Sequence, residues 1–183
     1  MVALGARGAL HLRTHRLSGA ELHSLARRLA PVQERTHCWL VINDRVDVAL
    51  ATGARGIQLT SKSLTIPDAQ AIAPGVPLGA SVHSVEEVVE AERAGAAWAV
   101  AGHVYETATH PASEGRGVAF VEAVCENTSL PVIAIGGIRP RNVAAMRRAG
   151  AWGIAVIRGI WSASDAEAAA IDYLSRYDAN GGQ

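Results

Sequence analysis

The 183-residue chain has few cysteines, few aromatic side chains and no excess charge of either sign. Its two cysteines, Cys38 and Cys125, match neither a metal-binding nor a redox spacing, so we expect both to be small buried apolar residues. Basic and acidic residues number 17 each and aromatic residues make up 4% of the chain, which argues against a nucleic-acid partner. No apolar run approaches the roughly 18 residues of a membrane span, and no secretory pattern opens the chain. These absences predict a cytoplasmic enzyme or binding protein with no membrane partner.

What the chain does contain is enough apolar sequence for a sizeable core. Apolar residues make up 49% of the chain and charged residues 19%, a balance typical of a globular protein. A length of 183 residues suits a single domain, and no linker or low-complexity stretch divides it. We therefore predict one domain over residues 1–183, with residues 178–183 as a disordered tail.

One local pattern occurs three times: an amphipathic helix ends, Gly-Ala follows, and a short apolar run begins. Its glycines are Gly53, Gly95 and Gly150, each standing where a left-handed helix cap is expected. Seven apolar runs predict strands at Ala9–Arg13, Trp39–Ile42, Gly56–Leu59, Leu78–Val82, Trp98–Ala101, Val132–Ile135 and Gly153–Ile157. Helical patterns predict helices at Ser18–Gln33, Val46–Ala51, Ile66–Ala71, Ser84–Ala94, Val118–Glu126, Pro140–Ala149 and Asp165–Arg176.

Strands and helices that alternate along a whole chain indicate parallel βα units, so the predicted fold class is α/β. The strand runs are apolar on both faces, as buried parallel strands are. Two architectures fit. One is a closed (β/α)8 barrel of the TIM type, which has eight strands and usually about 200 residues or more. The other is an open doubly wound sheet. With seven strand patterns, the barrel requires that the first β-strand and helix be lacking.

Polar and glycine residues follow the predicted strands, at the ends where parallel βα folds place their active sites. His103 follows the fifth strand, and an imidazole can move protons near neutral pH. Gly136 and Gly137 follow the sixth strand, where backbone N–H groups can approach an anion closely. Ile157 and Arg158 follow the seventh, so the last two loops together predict a phosphate site. From the residues alone, His103 could equally be a polar loop residue with a structural role and no part in catalysis.

Five motifs resemble, in their order along the chain, those of the thiamine phosphate synthase/TenI superfamily. They are Val41–Leu50, Ser81–Glu87, Gly102–Thr107 (Gly-His-Val-Tyr-Glu-Thr), Glu114–Gly117 (Glu-Gly-Arg-Gly) and Pro131–Ile138. The resemblance runs from about residue 8 to the end of the chain. It implies a (β/α)8 barrel that binds a small phosphorylated thiazole, here without the first strand and helix.

The superfamily has two enzymatic branches, and the motifs favour one of them. Synthases join hydroxymethylpyrimidine diphosphate to thiazole phosphate with magnesium, and they usually have Gly-Pro-Ile-(Tyr/Phe)-Pro-Thr after the fifth strand and a carboxylate soon after the third. Here residues 102–107 read differently, and residues 60–63 (Thr-Ser-Lys-Ser) lack the carboxylate that would give magnesium a hard oxygen ligand. The resemblance therefore implies a TenI-like thiazole tautomerase in thiamine biosynthesis, an isomerase that aromatises a carboxythiazole phosphate. His103 would be its acid/base, and it would need no metal or other cofactor.

Other roles and functions stay open. Arg13, Asn43 and Ser81 are candidates for binding the substrate carboxylate, with strand-end capping as the alternative for Asn43. Arg158 can contact the phosphate or point outward. A homodimer would cover a strand edge left unpaired by the shortened barrel. Two alternative functions are a thiamine phosphate synthase and a non-catalytic, regulatory protein that binds thiazole phosphate.

Overall fold

A computed structural model describes residues 1–14, 16–107 and 114–179 of the chain. By its internal contacts the chain forms two compact units. The first comprises Met1–Ala80 with Ala94–Ala96, and the second comprises Ser81–Arg93 with Ala97–Gln183. The single domain predicted over residues 1–183 stays a prediction, and residues 180–183 of the predicted tail lie outside the described residues.

The first unit is built on parallel strands that pair in chain order. They are β1 (Ala9–Leu12), β2 (Trp39–Asn43), β3 (Gly56–Leu59) and the first residues of β4 (Leu78–Val82). The connecting helices are α1 (Gly19–Thr36), α2 (Val46–Thr52) and α3 (Ile66–Ile72). A capping box starts α1, because Ser18 accepts from the Glu21 N–H while the Glu21 carboxylate accepts from the Ser18 N–H. The core of this unit includes the fully buried Leu40, Ile42 and Ile57.

The second unit contains the end of β4 and three further strands, with β5–β6 and β6–β7 paired in parallel. These strands are β5 (Trp98–Gly102), β6 (Val132–Ile135) and β7 (Gly153–Ala155). Its helices are α4 (Val85–Arg93), α5 (Val118–Glu126), α6 (Val143–Arg148), α7 (Arg158–Trp161) and α8 (Ala166–Asp178). Its core includes Val104, Val121, Ala134, Ile138, Met146 and Tyr173.

The α/β class and all seven strands predicted for the shortened barrel are confirmed, but the strands do not make a closed eight-stranded barrel. The described residues form seven strands, and residues 5–7, which precede β1, form a 3-10 helix instead of a strand. The three helix-to-strand glycines are also confirmed, with φ of +65° at Gly53, +92° at Gly95 and +85° at Gly150. None of the helices in the described ranges is both long enough and apolar enough to cross a membrane.

Two helical segments differ from the prediction. The helix predicted at Pro140–Ala149 begins as a 3-10 turn over Pro140–Asn142, and only Val143–Arg148 is α-helical. The Arg139 N–H donates to the Asn142 side chain at 2.6 Å, which holds this first turn tight. The four-residue helix α7 was not predicted, since a run so short carries no periodic signal.

Candidate functional site

The segment that follows β5, residues 103–106, lies between two other backbone segments of the second unit. Four backbone hydrogen bonds between 2.9 and 3.1 Å hold it there. They join Val104 N–H to Ile135 O, Tyr105 N–H to Gly136 O, Arg116 N–H to His103 O and Gly117 N–H to Val104 O. With backbone partners on both sides, the segment has little conformational freedom.

Glycines in the two flanking segments make this close packing possible. A Cβ on Gly137 would lie 2.7 Å from the Tyr105 Cβ, and one on Gly136 would lie 2.7 Å from the His103 Cα. A Cβ on Gly115 would lie 2.6 Å from the Tyr105 Cα. Such distances are sterically forbidden. The Gly-Gly and Glu-Gly-Arg-Gly motifs therefore share a structural role, which is to let both loops pack against residues 103–106.

His103 is partly buried at the carboxyl end of β5, next to the Gly-Gly loop. Its backbone is fixed through its carbonyl, and its peptide bond with Gly102 is cis. The residue predicted to do the chemistry and the loop predicted to bind phosphate are thus neighbours. An imidazole in this position can donate a hydrogen bond to an anion bound by the loop.

Ile157 and Arg158 lie just beyond β7, and both are exposed. Because Ile135 of β6 pairs in register with Ala155 of β7, the two loops that follow leave neighbouring strands at the same end. The structure therefore brings the two predicted phosphate loops together. The exposed Arg158 guanidinium can supply charge to an anion at this end of the strands.

In the first unit, polar side chains at the carboxyl ends of three strands form one hydrogen-bonded chain. His11 Nε2 lies 3.0 Å from Asn43 Oδ1, and Asn43 Nδ2 donates to Asp44 Oδ2 at 2.5 Å. The hydroxyls of Thr60 and Ser63 both donate to Asp44 Oδ1. Because the Asn43 nitrogen faces a carboxylate, its oxygen faces His11, and His11 must carry its proton on Nε2.

Burial of the His11 ring is the main cause that lowers the pKa of this histidine below its usual range. The hydrogen bond that His11 donates to Asn43 opposes that shift, the positive charge of Arg13 adds to it, and the negative charge of Asp44 opposes it. His11 as a whole residue is exposed to solvent, which limits the size of the shift. At neutral pH the imidazole is therefore uncharged and donates to Asn43.

The predicted substrate-binding residues lie in different units. Asn43 belongs to the hydrogen-bonded chain, Arg13 is exposed just after β1 and close enough to affect His11, and Ser81 is partly buried on β4 in the second unit. The prediction missed Asp44 as a site residue. Its φ of +60° is uncommon for a residue with a side chain but tolerated by aspartate. An Asn-Asp pair directly after a strand is the signal that could have identified it.

Comparison with known proteins bears on the function. A family model described as thiamine monophosphate synthase matches residues 2–160. The thiamine-phosphate synthase of Pyrococcus abyssi is 36% identical over 90% of this chain and 80% of its own length. That of Coprothermobacter proteolyticus is 36% identical over 91% of this chain and 79% of its own. The structure of thiamine phosphate pyrophosphorylase from Pyrococcus furiosus superposes with a TM-score of 0.91 and 32% identity, covering 99% of this chain and 88% of that one.

These comparisons correct the predicted activity. The expectation of a TenI-like thiazole tautomerase, an isomerase, is wrong, because the similar proteins are named as synthases, which are transferases. The superfamily itself is confirmed. The prediction gave too much weight to two short differences, at residues 60–63 and 102–107, relative to similarity along the whole chain.

The synthase branch of the resemblance implies magnesium, and the side chains in the first-unit chain do not fit such a site. Magnesium bound to a diphosphate takes its protein ligands mainly from carboxylates. Asp44 has a carboxylate here, but both of its oxygens already accept hydrogen bonds, from Asn43, Thr60 and Ser63. Within residues 1–14, 16–107 and 114–179, no group of three or more His, Cys, Asp or Glu side chains could hold a metal ion. We therefore derive no step that passes through a metal.

Proposed function

This chain belongs to the thiamine monophosphate synthase family, and from that premise we propose that it is a thiamine-phosphate synthase. It would join hydroxymethylpyrimidine diphosphate to thiazole phosphate in thiamine biosynthesis. The observation that carries the proposal is the identity of more than a third with named synthases over nine-tenths of this chain.

The proposed reaction is a substitution at a methylene carbon. The thiazole ring nitrogen forms a bond to the methylene carbon of the pyrimidine, and the bond from that carbon to the diphosphate oxygen breaks. The diphosphate leaves with the electron pair. Negative charge therefore accumulates on the leaving group, so hydrogen-bond donors and cations placed around it lower the barrier.

The second unit offers groups for two anions at the ends of β5, β6 and β7. In this proposal the backbone at Gly136, Gly137 and Ile157 binds the phosphate of thiazole phosphate, and Arg158 adds positive charge. His103, next to Gly136, donates a hydrogen bond to the departing diphosphate. The rigid backbone of residues 103–105 supports this role, because a fixed donor needs no reorganisation during the reaction.

The first unit, taken by itself, also offers polar groups that can bind a ligand. Asn43 is oriented by partners on both sides of its amide, and Arg13 carries a cation just beyond β1. We assign Arg13 and Asn43 of the first unit to substrate binding and, separately, Ser81 of the second unit.

A turnover assay tests the proposal. Purified protein is incubated with both substrates and magnesium, and thiamine phosphate and diphosphate are quantified by chromatography and mass spectrometry. We expect equal amounts of the two products. In the variant His103→Asn, kcat should fall at least about tenfold. His83→Asn is the matched control, because His83 is an exposed histidine of the same unit paired with Glu87, and its loss should leave turnover unchanged.

One observation favours a second candidate function, a non-catalytic protein that binds thiazole phosphate. It is the lack of a carboxylate at residues 60–63, together with the engaged oxygens of Asp44. Tight binding of thiazole phosphate with no product from both substrates would support this candidate and contradict the synthase.

A further inference from the structure

Tyr173 joins helix α8 to the loop that follows β6. Its side chain is 5% exposed, within the core of the second unit, and its hydroxyl donates to the Ile138 carbonyl at 3.1 Å. Ile138 comes directly after the Gly-Gly pair. Burial is the main cause that raises the pKa of Tyr173, so the hydroxyl stays protonated and able to donate.

The same hydroxyl lies against the segment that follows β7, at the start of α7. Gly159 lies over it so closely that a Cβ at this position would collide with the Tyr173 hydroxyl, and would come within 3.0 Å of its Cζ. Gly159 follows Ile157 and Arg158, the other two residues assigned to phosphate. One buried side chain therefore contacts both loops of the assigned phosphate site.

We propose that Tyr173 is a positioning residue that holds the β6 and β7 loops in the geometry that binds the substrate phosphate. The proposal rests on the proposed function, because the loops that Tyr173 would hold are those assigned to the phosphate site. Tyr173 does not itself touch the substrate. It acts through the Ile138 carbonyl and through its contact with Gly159.

The hydrogen bonds on either side of the Gly-Gly pair show how this positioning works. The Gly136 carbonyl accepts from the Tyr105 N–H at 3.1 Å, and the Ile138 carbonyl accepts from Tyr173. In a trans peptide the N–H points away from the carbonyl, so the Gly137 N–H is directed away from residue 105. Anchors on both sides keep this N–H in one orientation, which an anion site built from backbone groups requires. Without the second anchor, the loop after Gly137 would lose its fixed position.

Tyr177 provides a matched control on the same helix. It lies one turn further along α8, and its hydroxyl also donates to a backbone carbonyl, that of Ala151 at 2.5 Å. Ala151 lies just before β7, at the opposite end of that strand from Ile157 and Arg158. Tyr173→Phe and Tyr177→Phe therefore both remove a hydroxyl that donates to a backbone carbonyl, at opposite ends of the strands, and Tyr177→Phe also removes the acceptor of a hydrogen bond from Arg147.

The experiment compares these two variants with the wild-type enzyme. The KM for thiazole phosphate and the kcat are measured at saturating hydroxymethylpyrimidine diphosphate, and the Tm is measured for each protein. Tyr173→Phe should raise this KM about fivefold and change kcat by less than about twofold, as expected for the loss of one positioning hydrogen bond. Tyr177→Phe should leave the KM unchanged even if it lowers the Tm as much as Tyr173→Phe does. An unchanged KM in Tyr173→Phe, or equal rises in both variants, would overturn the proposal.

Gly159→Ala covers the case in which Tyr173→Phe does not fold, and the double variant tests the coupling when both single variants fold. Gly159→Ala should raise the KM more than Tyr173→Phe does, because the added Cβ meets the tyrosine hydroxyl. In the double variant, phenylalanine removes the atom that the Cβ meets, so its KM should be lower than the product of the single effects predicts. Independent, multiplicative effects would contradict the proposed coupling.

Binding of inorganic phosphate separates this proposal from the proposed function. If the wild-type protein makes no thiamine phosphate, the synthase proposal fails, but the Kd for inorganic phosphate can still be measured by calorimetry. Weaker phosphate binding in Tyr173→Phe than in Tyr177→Phe would support the positioning role. Equal affinity in the two variants, or no phosphate binding by the wild type, would overturn it.

Discussion

The amino ends and the carboxyl ends of the strands use polar side chains in different ways. The Gln33 side chain of α1 lies near the amino ends of β2 and β3. All of its hydrogen-bond partners that are distant in sequence are backbone groups. It accepts from the Leu40 and Arg55 N–H groups at 2.9 and 3.1 Å and donates to the Gly53 carbonyl at 3.0 Å. Gln33 is only 1% exposed, so this amide is a buried clamp on backbone groups of the segments around β2 and β3.

At the carboxyl ends of the same strands, side chains bind one another instead. The side chains of His11, Asn43 and Asp44 form a hydrogen-bonded chain. It ends at Asp44, which accepts from the hydroxyls of Thr60 and Ser63. A clamp on backbone groups supports the fold. A chain of side chains can present oriented donors and acceptors to a ligand. We infer from this difference that the amino ends serve mainly stability, and we propose that binding takes place at the carboxyl ends.

The largest effect should come from breaking the clamp. Gln33→Leu removes three hydrogen bonds to the backbone and leaves the buried Leu40 N–H without its partner, which should cost roughly 4 kcal/mol of unfolding free energy. Chemical denaturation measures this value. Gln70→Leu is the matched control, because Gln70 is an exposed glutamine that donates to the Gly95 carbonyl, and its loss should cost less than about 0.5 kcal/mol. Similar losses in the two variants would show that the amino-end clamp has no special role.

Two glycines, one at each end of the strands, test the same comparison of amino and carboxyl ends. The expected change in unfolding free energy is smaller. Gly53 and Gly137 have nearly equal φ, +65° and +62°, but a Cβ on Gly53 would meet open space while one on Gly137 would meet the loop at residues 105–106. Gly53→Ala should cost about 1 kcal/mol, from backbone conformation alone. Gly137→Ala should cost about 3 kcal/mol and also reduce turnover, because the loop must move. Denaturation and activity measured together test this. Equal costs would contradict the packing role of Gly137.

The sequence predicted the strands well because each is a short apolar run bounded by glycine or polar residues. It also placed His103, Gly136 and Gly137 at one end of neighbouring strands, since parallel strands put their carboxyl ends together. It did not reveal what the two glycines contact, because the atoms they avoid belong to a segment thirty residues earlier. The positions of Gln33 and Tyr173 were missed for the same reason. A polar residue on a helix does not show which distant carbonyl or N–H it will bind.

The pH dependence of stability should show the smallest effect, at His11. Its pKa is lowered in the folded protein, so between the unfolded-state value near 6.5 and the folded value the unfolded chain binds more protons. Stability should therefore fall as the pH drops through this window, level off below it, and be unaffected by this group above it. His11→Gln keeps an N–H donor for Asn43 but cannot titrate, so this part of the pH dependence should disappear. Identical pH profiles for variant and wild type would show that the His11 shift is absent.

The central claim is that the carboxyl-end loops of the second unit bind the substrate phosphate. A crystal structure of the protein with thiazole phosphate tests it most directly. We predict that the phosphate accepts hydrogen bonds from the backbone at Gly136 and Gly137, with Arg158 and His103 within reach. A phosphate bound instead at an exposed basic surface, such as His23, Arg27 and Arg28 on α1, with the Gly-Gly loop empty, would contradict the account.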